Sequence, residues 1–437
     1  MNIAIVGFAG QGKSSFEYWK AQGHDITICD RNEGLEVPAG ASARLGEAYL
    51  QNLNAFDVIV RTPIIHPRDI VTANPDAPEI LAKVTSNTNE FFTVCPTKNI
   101  IGVTGTKGKG TTSTLITKML EAGGKRVHLG GNIGTPPLEL LKNDIKPDDW
   151  VVLELANFQL IDLKHSPHIG VVLMVEPEHL DWHEDLEEYI AAKQQMFINQ
   201  TEEDVAIYYA ANEISVSVAD ASMGEQIPYL QSPGAHIENE YVVIDGKQIC
   251  STKQIRLPGK HNWQNACAAT TAAWQVLHEV GPLQKALTSF SGLPFRIELR
   301  REVDGVKYYD DSFATGAGAT IAAIEAIPEK KVLILGGHDR GLNLEKLADV
   351  IKKHDHDIQK VILVGASAQR MSEVLEQKGF FNYVHESSRN MDAIVRRARE
   401  FARQGDAVLL SPAFASFDMF KNFEDRGIQF NAAVDAL

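Results

Sequence analysis

Residues Asn99-Ile100-Ile101-Gly102-Val103 run directly into Thr104-Gly105-Thr106-Lys107-Gly108-Lys109-Gly110-Thr111-Thr112, and apolar residues then recur at Leu115, Ile116, Met119 and Leu120. The first stretch reads as a buried strand and the last as a helix with one apolar face. A glycine-rich turn between them lets backbone N–H groups point inward at an anion, and the helix dipole adds to that field. Lys109 would set an ammonium against the terminal phosphates of a nucleotide such as ATP. The loop departs from the usual GxxxxGK[ST] form. Val103 occupies the place of the first glycine and Gly110 follows the lysine, so the hydroxyl for magnesium falls to Thr111 or Thr112. A plain glycine turn ahead of a helix is the alternative reading.

The same rhythm extends in both directions. Upstream, residues 3–6, 26–29 and 58–60 read as strands, 13–22 as a helix and 48–53 as another. Downstream, strands are expected at 127–129, 151–155, 169–175 and 205–208, and again at 306–309, 332–335, 361–364 and 407–410. Strands alternating with helices predict parallel sheets wrapped by helices. The expected fold class is α/β in three domains, 1–88, 89–293 and 294–437, the outer two Rossmann-like and the central one a P-loop-type ATPase. The turn Gly7-Phe8-Ala9-Gly10-Gln11-Gly12 after the first strand, with Asp30 ending the second, suits a diphosphate and a sugar hydroxyl or base edge. Its glycine spacing is not the full dinucleotide fingerprint, and a plain strand–turn–helix is the alternative.

Bulk properties narrow the partners. A net charge of −15 argues against nucleic acid or an anionic membrane surface. Cys29, Cys95, Cys250 and Cys267 lack paired spacing, as expected for reduced structural thiols. The N-terminus reads directly as a strand, with neither a basic leader nor a long apolar run, and a cytoplasmic location is expected.

Three further features carry chemistry. Glu154 ends a predicted buried parallel strand, where such sheets bind ligands, and beside a phosphate loop it is a natural Mg²⁺ ligand; a surface acid is the bland alternative. Glu176-Pro177-Glu178-His179-Leu180-Asp181-Trp182-His183 packs acids and two histidines into one short stretch, so one histidine could join the metal, or the stretch is a solvated loop. Lys193 shares a predicted helical face, residues 187–198, with Tyr189, Met196 and Phe197. A lysine on an apolar stripe either snorkels outward or loses its charge, and a neutral amine can capture CO2 as a magnesium-binding carbamate.

These residues stand in order with Gly130-Gly131-Asn132-Ile133-Gly134, Leu153-Glu154-Leu155-Ala156-Asn157-Phe158-Gln159-Leu160, Leu257-Pro258-Gly259-Lys260-His261-Asn262-Trp263-Gln264-Asn265-Ala266, Gly292-Leu293-Pro294-Phe295-Arg296 and Asp311-Ser312-Phe313-Ala314-Thr315. Together they resemble the Mur ligases over essentially the whole chain, and the tail from Leu410 to Gly427 resembles the branch that adds D-glutamate. The resemblance implies an ATP-dependent ligase joining D-glutamate to UDP-N-acetylmuramoyl-L-alanine through an acyl phosphate, in peptidoglycan precursor synthesis. It implies that Phe8, Ala9, Gly10, Gln11, Asp30 and Arg31 hold the uridine diphosphate, and Asn132, Gln159 and His179 the muramoyl part. ATP would meet Gly105, Thr106, Lys107, Gly108, Lys109, Gly110, Thr111, Thr112, Asn265, Arg296 and Asp311. Thr315, Arg340, Ser416 and Phe423 would form the amino-acid pocket. Thr111, Glu154, His179 and a carbamylated Lys193 would hold two Mg²⁺, with Lys109, Lys193, His179 and Glu154 as the catalytic group. A monomer with large movement of the third domain is implied.

Departures from the family pattern cluster near the chemistry: Met174 for Asn, Glu178 for Asp, Phe313 for Lys, Phe295 for His, Gly316 for Asn, and Ile65 for a glycine. They keep two other functions in view, a relative with another amino acid or a folylpolyglutamate-type enzyme, and a catalytically weak nucleotide-binding module.

Overall fold

The computed structural model describes residues 1–132, 134–257 and 261–437, so Ile133 and Pro258-Gly259-Lys260 of the segments quoted above lie outside the described residues. Residues 1–256 and 261–290 form one compact unit, and residues 291–437 another.

The first unit holds two parallel sheets. One has the order Ser42–Leu45, Asp25–Asp30, Asn2–Val6, Val58–Arg61, Val84–Ser86. The other runs Glu225–Tyr229, Val205–Tyr209, Ile169–Val172, Ile100–Thr104, Trp150–Glu154, Val127–Gly131. Ile100–Thr104 is buried throughout, as a central strand covered on both faces must be. After it the chain builds Val127–Gly131 and Trp150–Glu154 on one side, then crosses to Ile169–Val172 on the other. The order therefore reverses at this strand, and the crevice beyond its C-terminal end is where such sheets take ligands. The first sheet reverses in the same way at Asn2–Val6, which delivers the turn from Gly7 to Gly12.

Arg61 ends its strand fully buried. Its Nε donates to Asp162 Oδ2 at 2.6 Å, while Nη1 and Nη2 reach the carbonyls of Ile65 and Phe158, each at 3.0 Å. One guanidinium thereby joins the end of the N-terminal sheet to the segment that follows Glu154.

The second unit is a six-stranded sheet in the order Glu298–Val303, Val306–Asp310, Ala407–Leu410, Lys331–Gly336, Ile358–Val364, Tyr383–His385. Only the first pair is antiparallel. Apolar helix faces cover it, with Leu347 and Ile351 on one side and Ile394, Val395 and Phe430 on the other.

Several expectations are corrected. The helix expected at 48–53 is a run of turns ending in the short 3-10 turn Leu53–Ala55, because Gly46 at φ +85° and Asn52 at φ +53° interrupt any helical ladder. The strand expected to reach 175 stops at Val172, and the helix around Lys193 spans Leu186–Gln194. An antiparallel sheet of His236–Glu238, Tyr241–Ile244 and Lys247–Ser251 was not anticipated. All four cysteines are buried and unpaired. Among the described residues no helix is long and apolar enough to cross a membrane.

Candidate active site

The phosphate loop is held by its neighbours. Thr106 N–H donates to the Met174 carbonyl at 2.9 Å, and Thr106 Oγ1 bonds both the carbonyl and the N–H of Glu176, at 3.0 and 2.9 Å. The Tyr189 hydroxyl lies 3.1 Å from the same oxygen. Gly108, at φ +87°, caps the helix Lys109–Ala122, and a Cβ there would meet Asn265 Oδ1 at 2.2 Å. Only glycine fits both the backbone and the space. Lys109 Nζ donates to the carbonyls of Gly105 and Thr106, at 2.9 and 3.0 Å. Lys107 is exposed beside Glu176. Gly110 and Thr111 lie in the first helical turn with Thr111 half-buried, whereas Thr112 is buried with its hydroxyl 3.5 Å from Asn265 Oδ1. Asn265 in turn donates to Asn262 Oδ1 at 3.0 Å.

Glu154 stands beside this loop because its strand pairs with the loop's own, Val103 opposite Glu154. Its Oε1 accepts from Asn132 Nδ2 at 3.1 Å. Lys193, only 1% exposed, has its Nζ 4.6 Å from the centre of the Tyr189 ring. Burial, and then the nearby Lys109 ammonium, push its pKa down to about 7 against a smaller opposing pull from Glu178. The sequence left open whether Lys193 snorkels; the fold keeps it inside. His179 is half-exposed at φ +58°, with its ring against Phe158 at 4.8 Å.

In the N-terminal turn, Phe8 N–H donates to Asp30 Oδ2 at 2.8 Å and Asn32 N–H to Asp30 Oδ1 at 2.9 Å, so Asp30 organises the turn. A Cβ on Gly7 would strike Thr62 Oγ1 at 2.1 Å, so this turn too is fixed by close packing. Ala9, Gly10 and Arg31 are exposed, and Gln11 is half-buried. The helix Gly10–Ala21 has neither a side-chain cap nor an acid in its first turn. Its N–H groups suit an anion. Gln159 is buried, its Oε1 accepting Ala156 N–H at 3.0 Å and its Nε2 facing Thr88 Oγ1 at 3.4 Å, so both ends of the amide have protein partners.

In the second unit Arg340 Nη2 donates to the Thr315 carbonyl at 2.8 Å, bringing two expected amino-acid contacts together. Phe423 opens the helix Phe423–Asp435 and meets Phe313 edge-on at 5.1 Å. The Arg296 guanidinium lies 4.2 Å over Phe313, so the aromatic ring at a position where the family pattern has a lysine gives this arginine a platform. Ser416 is buried. Asp311 is buried with Ser411 Oγ at 2.6 Å and Ile297 N–H at 3.2 Å, and burial raises its pKa to about 7.

Sequence reasoning missed His66, Glu188 and Arg61. His66 contacts Glu188 across 122 positions, and no local pattern announces such a pair.

Residues 103–273 match the Mur ligase middle domain, and residues 295–414 the Mur ligase glutamate ligase domain. The UDP-N-acetylmuramoylalanine--D-glutamate ligase of Acetivibrio thermocellus is 36% identical over 100% of this chain and 96% of its own length. That of Clostridium kluyveri is 35% identical over 99% of this chain and 96% of its own. Among solved structures, the UDP-N-acetylmuramate-alanine ligase MurC of Thermotoga maritima superposes with a TM-score of 0.58 at 17% identity, covering 100% of this chain and 99% of its own. The MurF ligase of Thermotoga maritima, in complex with ADP, gives 0.57 at 16%, covering 99% and 95%. At such identities these two establish the fold alone. The full-length relatives establish more: this chain belongs to the Mur ligase family, among the UDP-N-acetylmuramoylalanine--D-glutamate ligases.

Proposed function

We propose that this chain is an ATP-dependent ligase that joins D-glutamate to UDP-N-acetylmuramoyl-L-alanine in peptidoglycan precursor synthesis, releasing ADP and phosphate. The observation that carries this reading, in a chain with these relatives, is Lys193, a buried amine held near neutrality close to Lys109 of a phosphate loop. A module that only bound nucleotide would have no use for an amine kept where burial penalises its charge.

The chemistry divides into two transfers. A carboxylate oxygen of the alanyl group attacks the γ-phosphorus, the bond to the β–γ bridging oxygen breaks, and ADP leaves an acyl phosphate behind. The amine of D-glutamate then adds to the acyl carbon, loses a proton, and expels phosphate to leave the amide. The amides of the phosphate loop and the Lys109 ammonium would take the charge that spreads over the moving phosphoryl group.

Glu154, His179, Thr111 and a carbamylated Lys193 are the donors we assign to magnesium. The inward turn of the Thr112 hydroxyl onto Asn265 favours Thr111. A neutral Lys193 amine can capture CO2, and the resulting carbamate oxygens suit a hard cation better than an amine does. Bound there, Mg²⁺ would neutralise charge on the phosphates and the reacting carboxylate. We assign the uridine diphosphate to the Phe8–Gln11 turn with Asp30 and Arg31, the muramoyl part to Asn132, Gln159 and His179, and the adenine and ribose side of ATP to Asn265, Arg296 and Asp311. D-Glutamate is assigned to Thr315, Arg340, Ser416 and Phe423, where the planar fork of Arg340 suits a carboxylate. The working form is a cytoplasmic monomer, which size-exclusion chromatography with light scattering would check.

The test is ATP-dependent phosphate release with UDP-N-acetylmuramoyl-L-alanine and a panel of D- and L-amino acids. Release with D-glutamate is expected. No release with any amino acid sinks the enzyme reading, and a different preferred amino acid moves the specificity.

A further inference from the structure

Glu188 lies in the first turn of the helix Leu186–Gln194 and has no part in the assignments above. Its Oε2 lies 3.3 Å from His66 Nε2 and 3.2 Å from His183 Nδ1, and it accepts the Glu184 N–H at 2.9 Å. The other partners of the two rings fix their protons. His66 caps the helix Pro67–Ala73, its Nδ1 accepting Arg68 N–H at 3.0 Å, so the neutral ring carries its proton on Nε2. His183 Nε2 lies 2.7 Å from Asn157 Nδ2 and accepts from it, which leaves the proton on Nδ1. Both imidazoles therefore donate to one carboxylate oxygen.

The same three side chains have the spacing of a metal triad, with ligand atoms within 4.8 Å of one another. A cation on His66 Nε2 would move the ring proton to Nδ1, where it would face the Arg68 N–H donor. The helix cap thus argues for a hydrogen-bond hub rather than a metal centre.

The hub joins two pieces of chain. His66 follows the strand Val58–Arg61 of the N-terminal sheet. His183 closes a tight turn in which the N–H groups of Trp182 and His183 both donate to the His179 carbonyl at 3.0 Å, with His179 itself at φ +58°. A non-glycine residue held there persists only when its surroundings over-determine it. Phe158 lies between, 4.8 Å from the His179 ring and within 7° of parallel to His183. Trp182 seals the edge, 4.4 Å from the His66 ring with its Nε1 donating to the Ile64 carbonyl at 3.3 Å.

We propose that Glu188 is a positioning residue for the ligase reaction: by clamping His183 to His66 it fixes the strained turn that presents His179 and ties that turn to the lobe with the Gly7–Gly12 loop. The proposal rests on the ligase reading above. Outer partners of this kind change affinity or activity by about 10- to 100-fold when removed.

Full-length Glu188→Ala and Glu188→Gln proteins test it through hydrogen exchange over residues 179–185 and through steady-state kinetics. In Glu188→Ala the Trp182 and His183 amides exchange at least about tenfold faster, and KM for UDP-N-acetylmuramoyl-L-alanine rises on the order of tenfold while that for D-glutamate stays within about twofold. Glu188→Gln keeps an acceptor oxygen and restores most of both. Unchanged exchange in Glu188→Ala overturns the clamp whether or not the protein turns over. Faster exchange with an unchanged KM, or with all three KM values rising together, overturns the positioning role and leaves a structural one. A wild-type protein without turnover sinks the ligase reading, and the catalytic half of this proposal with it, while the exchange result still judges the clamp.

Discussion

Replacing Lys193 by methionine should make the protein more stable and far less active. An ordinary lysine titrates near 10.4, whereas Lys193 is pushed down to about 7. Near pH 8 an ordinary lysine is neutral in roughly one molecule in 250, and this one in about nine of ten. The same shift is a stability statement. Between about pH 7 and 10.4 the unfolded chain binds a proton that the folded chain gives up, so the fold gains stability as pH rises through that window, and the penalty is complete below it. Near pH 8 this penalty is roughly 3 kcal/mol, growing to about 4 kcal/mol at pH 7 and fading near pH 10. Methionine keeps the stem and removes the amine, so in CO2-free, magnesium-free buffer its urea midpoint should exceed the wild type by an amount that shrinks as pH rises. Turnover should fall on the order of 100-fold or more with the loss of a donor we assign to magnesium. In Lys193→Ala, acetate or formate should restore part of it, and ¹³C-bicarbonate should give a carbamate resonance in the wild type alone. A stability difference that does not vary between about pH 7 and 9.5, or a methionine variant with full turnover, would refute the reasoning.

Three further outcomes follow from the geometry. Lys109→Ala should lower ATP-dependent phosphate release by about 10²–10³-fold, as loss of one charge-stabilising donor does, read by a coupled phosphate assay. Gly108→Ala places a Cβ 2.2 Å from Asn265 Oδ1 on a left-handed backbone, so it should cost about 1–3 kcal/mol in urea unfolding and weaken nucleotide binding measured by calorimetry. Arg61→Ala strands the Asp162 carboxylate and should destabilise the first unit by roughly 3–5 kcal/mol, seen as an earlier unfolding transition.

What was legible in the sequence was what repeats locally. Strand, glycine loop and helix around residue 105 carry their own period, and the buried strands of a parallel sheet announce themselves as apolar runs, so the α/β class could be read directly. The hairpin within 236–251 does carry a local signal, the apolar run Tyr241–Ile244 ahead of Asp245-Gly246, which a reading of longer runs misses, whereas the run 48–53 looked helical because composition does not reveal the positive φ of Asn52. In the site, Lys193 stood out because a charge on an apolar stripe is anomalous in one window. Glu188 looked like one more acid at a helix start, since its partner His66 lies 122 residues away. Asp30 and Asp311 were expected to meet ligands, and the structure gives both of them protein donors, which residue type alone does not disclose.

The Arg61 clasp bears on how such a chain can be cut and recombined. Its guanidinium is satisfied by Asp162 and by the Phe158 carbonyl, both well past the end of the first sheet. A fragment ending near residue 90 would leave the buried Arg61 cation with the Ile65 carbonyl but without its carboxylate partner, so the first lobe is poorly suited to being expressed or grafted by itself. A chimera that swaps this lobe between relatives must carry the 158–162 loop with it, or exchange Arg61 and Asp162 as a pair. Drift at either position is then constrained by the other, which places the seam for shuffling after the loop rather than between the two sheets.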